Sequence, residues 1–143
     1  MKIIGFNISK ISIERKNPIK GKLELKSGLD IENIEKDEVP ISPNPALKFD
    51  FAFKIDYNPN IAKIEIKGSV ITLDDKDEGK DILKAWKKKK FDHPSKIPLF
   101  NFIMGKCNIK AIQLEDDLGL PLHIPMPKLR PKTENSNPAN YTG

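Results

Sequence analysis

From Leu47 to Tyr57 every odd-numbered residue is apolar, and every even-numbered one except Ala52 is charged. That period of two predicts a strand with one face on a core and the other in water. Asn58-Pro59-Asn60 is a tight-turn signal, and it leads into Ile61–Leu73. There Ile64 and Ile66 alternate with Lys63, Glu65 and Lys67 before the apolar parity slips to Ile71 and Leu73. A strand changes parity only by inserting a residue, so a bulge is expected at Gly68. Together Leu47–Leu73 read as an antiparallel hairpin.

Upstream, Ile4, Phe6 and Ile8 alternate, and Ile11 and Ile13 resume with the opposite parity. A first bulge is therefore expected near Ser9-Lys10, and Asn17-Pro18 breaks the strand. In Gly21–Glu35, Leu23 and Leu25 alternate with Lys22, Glu24 and Lys26, and the pattern continues less regularly through Leu29, Ile31 and Ile34. The first half reads as strand, and the second half as strand or a turn of helix. Pro40, Pro43 and Pro45 then close a loop, because each fixes φ and lacks a backbone donor.

Past Leu73 the period lengthens to that of a helix. Asp74, Asp75, Asp77 and Glu78 place negative charge at its start, while Lys84 and Lys87–Lys90 place positive charge at its end, both favourable to the macrodipole. Ile82, Leu83, Ala85 and Trp86 form its apolar stripe. Phe91-Asp92-His93-Pro94 terminates it, and Ser95 is placed to cap a second helix with Pro98 in its first turn. There Leu99, Ile103, Cys107, Lys110/Ala111, Leu114 and Leu118 trace one side, and Phe100, Phe102 and Met104 widen the apolar surface. Leu118-Gly119-Leu120-Pro121 ends the helix. The strip Leu120–Pro127 is then extended, apolar and spaced by prolines. The predicted fold class is α+β: a four-stranded antiparallel sheet followed by two helices, with one face of the sheet covered. One domain is expected over 1–129, with a disordered tail over 130–143, where Pro, Asn, Lys, Thr and Ser bury too little to offset the cost of ordering.

Composition narrows the function. No apolar run approaches the ~18 residues of a membrane span, and the N-terminal stretch turns polar at Asn7, too early for a secretory signal. With a single cysteine, Cys107, these features fit the reducing cytoplasm. The net charge of +5 invites a nucleic-acid reading. However, only Arg15 and Arg130 offer the bidentate fork that reads bases and clamps phosphates, and the lysines of Lys87–Lys90 are explained by a dipole-matched helix end. A nucleic-acid-binding module that uses the lysine-rich surface is therefore the alternative reading and not the leading one.

Catalytic and metal chemistry find no motif. Asp75, Asp77 and Asp81 lack the glycine position and terminal glutamate of a calcium loop, and helix capping accounts for them. His93 and His123 have no carboxylate, cysteine or second histidine at a ligand spacing. Cys107 reads as a small core residue. There is no GxSxG, no phosphate-cradling glycine loop and no HExxH. No enzyme, cofactor or metal is expected. The unusual feature is instead a surplus: Trp86, Phe91, Ile97, Phe100, Phe102 and Met104 exceed what two helices and one small sheet can enclose, so an oligomer or a partner should cover part of them.

The order strand, strand, loop, hairpin, short helix, loop, long helix and leucine–proline strip resembles the SecB family of export chaperones, over about Ile4 to Leu129. Phe6–Glu14 followed by Asn17-Pro18 looks like the family's opening strand and its break. Leu118–Pro125 looks like the extended segment after its last helix. The resemblance implies a homotetramer built as a dimer of dimers, holding unfolded polypeptide clients in apolar grooves without ATP. Together with the apolar surplus it points to Leu23, Leu25, Trp86, Phe91, Ile97, Phe100, Met104, Leu120, Leu122 and Ile124 as client-binding residues. Well-known members are acidic and dock a translocation motor on the exposed sheet face. Here that face mixes Lys48, Asp50, Lys54, Asp56, Lys63, Glu65 and Lys67, and members that protect an antitoxin offer an alternative to export.

Overall fold

A computed structural model describes residues 1–38, 43 and 46–131. Four strands, β1 (Lys2–Arg15), β2 (Glu24–Asp37), β3 (Ala46–Asn58) and β4 (Ala62–Leu73), are followed by two helices, α1 (Lys76–Trp86) and α2 (Lys96–Asp117). The strands form one antiparallel sheet in the order β1-β4-β3-β2. The hairpin read from the alternation is the β3–β4 pair at its centre, and β1 and β2 are the edges. The expected tail disorder falls on residues that, from 132 onward, lie outside those described. Of the three loop prolines only Pro43 lies among them.

The core follows from the alternation. Leu47, Phe49, Phe51, Phe53, Ile55 and Tyr57 of β3 are buried, and they pair directly with Thr72, Val70, Gly68, Ile66, Ile64 and Ala62 of β4. Directly paired residues share a face, so one face of the central hairpin is apolar apart from the buried Thr72 at its end. The helices lie on it. The other face is polar and carries ion pairs, among them Lys10 to Glu65 at 2.9 Å, Lys67 to Glu32 at 3.2 Å and Lys54 to Glu65 at 3.7 Å.

The bulges are distributed differently from the sequence expectation. Register shifts in β1 fall between Ile3 and Gly5 and between Ile8 and Lys10, so Ser9 is the extra residue where one was expected. Ile4 is a second extra residue, and it is exposed instead of alternating inward. No bulge occurs at Gly68: β4 pairs with β3 without a break, and Ile71 and Leu73 simply stand on the outer face. Gly68 serves close approach instead. A Cβ there would collide with the Asn7 carbonyl oxygen of β1 and lie 2.9 Å from Phe51 Cζ. The second half of the second run is strand throughout, with Glu32 as an extra residue between Ile31 and Asn33.

Both helices start where the charges and capping residues placed them, but neither Asp75 nor Ser95 makes a side-chain cap. The Ser95 hydroxyl instead meets His93 Nδ1 at 2.7 Å. In α2 the buried stripe is Leu99, Ile103, Cys107, Ala111 and Glu115, a strict i+4 row. It therefore ends on Glu115 and not on Leu114 and Leu118. Phe102 packs edge-on against Phe6, which itself stacks on Phe51 at 5.6 Å, so that side of α2 faces β1.

Candidate functional site

The opposite side of α2 faces β2, and most of the residues singled out from the sequence gather there. Leu25, Leu29, Ile31 and Ile34 of β2 sit opposite Tyr57, Phe53, Phe51 and Phe49, which puts them on the helix-bearing face of the sheet. Only Ile34 is buried, while the other three are half-buried because no further strand lies beyond β2. On α2, Phe100 and Met104 are one turn apart, and Asn108 follows one turn later, so all three share a side. Asn108 meets His123, and His123 packs edge-on to Phe53. That contact puts this side over β3, away from β1 and on the flank of the sheet where β2 lies.

Within this flank the candidates form two groups. At the Phe49 end, Phe91 is buried, 5.4 Å from Phe49 and 6.4 Å from Phe100 between ring centroids. Trp86, Ile34 and Leu83 line a groove of about 750 Å³ between α1 and β2. At the Tyr57 end, Leu23 lines a pocket of about 410 Å³ with Asn58 and Pro59, and Leu25 lies opposite Tyr57. The strip after α2 begins here too: Leu120 is buried, Ile124 half-buried and Leu122 exposed. Eight residues of strand separate the ends, roughly 27 Å at ~3.4 Å per residue. Phe91 and Leu120 belong to the core, and a client would meet them only as a floor. Ile97 stands apart: it is 70% exposed, and about 200° around the helix from Leu99 it points away from the sheet.

A buried polar network holds the strip in place, and the sequence reading missed it. The Glu115 side chain is fully buried beneath the strip. The Tyr57 hydroxyl donates to Glu115 Oε2, with the Pro121 carbonyl 2.9 Å away as a second acceptor. The His123 backbone N–H donates to Glu115 Oε2 at 3.0 Å, and His123 Nδ1 lies 2.7 Å from Oε1. The ring's Nε2 meets the Asn108 side chain at 2.8 Å. Arg15 closes the end from the other side, donating to the Leu118 carbonyl at 2.8 Å. His123 thus has a carboxylate partner after all, reached through the turn at Gly119, whose φ of +64° suits glycine. Burial first, and then Glu115, hold the Tyr57 phenol well above its usual range, so it stays a hydroxyl donor. The missed signal was the row 99, 103, 107, 111, 115, which at strict spacing reaches Glu115.

Other polar groups are structural. Asp74 accepts from the Thr72 hydroxyl at 2.6 Å, and burial raises its pKa. Burial likewise pushes the Cys107 thiol up to about 11, which leaves it inert. Among the described residues no three His, Cys, Asp or Glu side chains converge as a metal site, and no helix is long and apolar enough to cross a membrane.

No family model matches the sequence, and no curated protein matches it either. Comparison with solved structures does find a likeness. The chain superimposes on a SecB-like chaperone of Mycobacterium tuberculosis, solved in complex with a ChAD peptide from the HigA1 antitoxin, with a TM-score of 0.57. The match covers 92% of each chain at 16% sequence identity. The chain therefore has the fold of a SecB-like chaperone.

Proposed function

We propose that this chain is an ATP-independent chaperone that holds unfolded or non-native polypeptides against the β2 flank. The observation that carries the reading is the half-buried row Leu25, Leu29 and Ile31, continued by Phe100, Met104 and Trp86, beside an edge strand. Such a surface takes extended apolar chain by area and not by sequence. Covering ~600 Å² at ~25 cal/mol per Å² gives roughly 15 kcal/mol gross, from which about 1–2 kcal/mol per ordered client residue is subtracted. Binding at one flank is consequently modest, and several flanks engaging one chain supply the rest through effective concentration.

A homotetramer in the cytoplasm would provide those flanks. Ile4 and Ile11 on the edge strand β1, with Ile97 and Ile109 on α2, are exposed apolar residues that subunit contacts would cover. Light scattering tests this: a mass of four chains supports it and a monomer removes it. The holdase reading is tested by aggregation of a chemically unfolded client. One tetramer per client should suppress light scattering without nucleotide, and an unaltered aggregation curve would sink the proposal. The antitoxin peptide bound by the structural neighbour favours a dedicated client over general export. So does the ion-paired mixture of charges on the outer sheet face. Suppression confined to one class of client would distinguish the two.

A further inference from the structure

We infer that the groove between α1 and β2 selects acidic client segments, taking one apolar side chain on its floor and carboxylates on its rim. The inference rests on the peptide-holding role proposed above and names its client class. Ile34, Leu83 and Trp86 form the floor, and apart from Asn33 the remaining lining residues are Lys36, Lys80, Lys84, Lys87 and Lys89. Among the described residues no carboxylate lines the groove.

The local structure concentrates this charge. Lys80, Lys84 and Lys87 recur at i, i+4 and i+7 along one side of α1 and its C-cap, the side turned toward β2. Lys36 pairs with Leu47, so it stands on the helix-bearing face of its strand. Lys89 takes the left-handed position after the helix, with φ of 57°, which glycine ordinarily fills. That conformation folds its ammonium back to 5.3 Å from the Trp86 ring centroid. A lysine run at a helix end accounts for Lys84 and Lys87 by dipole alone. It does not account for Lys36 from another element, nor for Lys89 in a strained conformation on the same groove.

Five like charges around an apolar floor repel one another and gain by meeting carboxylates in a partly desolvated cleft. A polypeptide alternating acidic and apolar residues supplies both. Nucleic acid fits less well. Its phosphates would meet the rim, but the floor is apolar and no arginine is among the described residues that line the groove.

Trp86 is the sole tryptophan, so its fluorescence reports the groove in the intact chain. The probes are extended peptides with leucine at alternate positions and glutamate, lysine or glutamine between. The glutamate peptide should shift Trp86 emission and bind about tenfold tighter than the glutamine peptide, with the advantage shrinking as salt rises. The triple variant Lys84→Glu, Lys87→Glu, Lys89→Glu should favour the lysine peptide. If that variant fails to fold, Lys84→Gln with Lys89→Gly suffices, since glycine relieves the left-handed position, and it should weaken the glutamate preference several-fold. Equal binding of all three peptides, or a preference left undiminished by these substitutions, overturns the inference. So does a single-stranded oligonucleotide that outcompetes the glutamate peptide. Suppressed aggregation with no peptide preference would leave the holdase standing and remove acid selectivity. Selective glutamate-peptide binding with unsuppressed aggregation would do the reverse.

Discussion

The two ends of the core are fastened by different chemistry. At the Tyr57 end, Glu115, Tyr57, His123 and Asn108 satisfy one another in a buried network that fixes the proline-spaced strip. At the Phe49 end, Phe49, Phe91 and Phe100 pack ring to ring, and Trp86 lies half-buried over an open groove. Hydrogen bonds are directional and costly to leave unmade, so the first end admits one arrangement. Aromatic contacts tolerate shifts and partial exposure. On the proposed reading the aromatic end is therefore the one able to accommodate an occupant, and the polar end is the one that holds its shape.

The sharpest way to break this contrast is Glu115→Ala. It strands the His123 backbone N–H and ring Nδ1 in a buried site and leaves the Tyr57 hydroxyl only the Pro121 carbonyl, for an expected loss of about 3–5 kcal/mol by urea unfolding. Proteolysis should at the same time begin near Pro121–Pro125, because the strip loses its anchor. Intact resistance to protease there would show that apolar contacts, not the network, hold it. Tyr57→Phe keeps the ring and removes only the donor, so the expected cost is smaller, about 1–3 kcal/mol.

The β3–β4 hairpin was legible because the alternation of β3 is interrupted only by Ala52 and a turn signal joins it to the alternating Ile64 and Ile66 of β4. Gly68 was misread because a shift in apolar parity has two causes, an extra residue or apolar side chains on the outer face. Only the neighbouring strand distinguishes them: Asn7 and Phe51 crowd Gly68 from outside its own sequence. Glu115 was invisible for a related reason. A charged residue on a helix reads as solvated until the partners that bury it are known, and Tyr57 lies 58 positions away. Among the candidate residues, Phe100, Met104 and Trp86 were singled out from hydrophobicity, and they lie on the proposed flank. Leu29 and Ile31, on the same flank, were not singled out, because exposure at a sheet edge depends on strand order, which periodicity does not encode.

At the aromatic end the balance between stability and function should invert. Trp86→Ala removes a half-buried ring from a groove wall, so the expected destabilisation is about 1 kcal/mol or less, below the ~3–5 kcal/mol of a core aromatic. Client holding should fall several-fold in the aggregation assay. A large loss of stability with unchanged holding would place Trp86 in the core instead of the site.

The smallest effect tests whether burial, and not mere charge pairing, makes the Tyr57 end strong. Glu65 lies on the outer sheet face, and its pKa is lowered chiefly by the hydrogen bond from Lys10. A carboxyl whose folded pKa is depressed contributes stability above its unfolded value, 4.5, and loses it as pH falls through the folded value. Lys10→Met should therefore be less stable than the parent near neutral pH, and the gap should close in acid below that range. Because Lys10 is 56% exposed, solvent screening keeps the difference under ~1 kcal/mol. It should shrink further in high salt, whereas the Glu115→Ala deficit should not, since the buried network is shielded from ions. Equal salt sensitivity of the two variants would mean that both ends of the comparison draw on the same screened electrostatics.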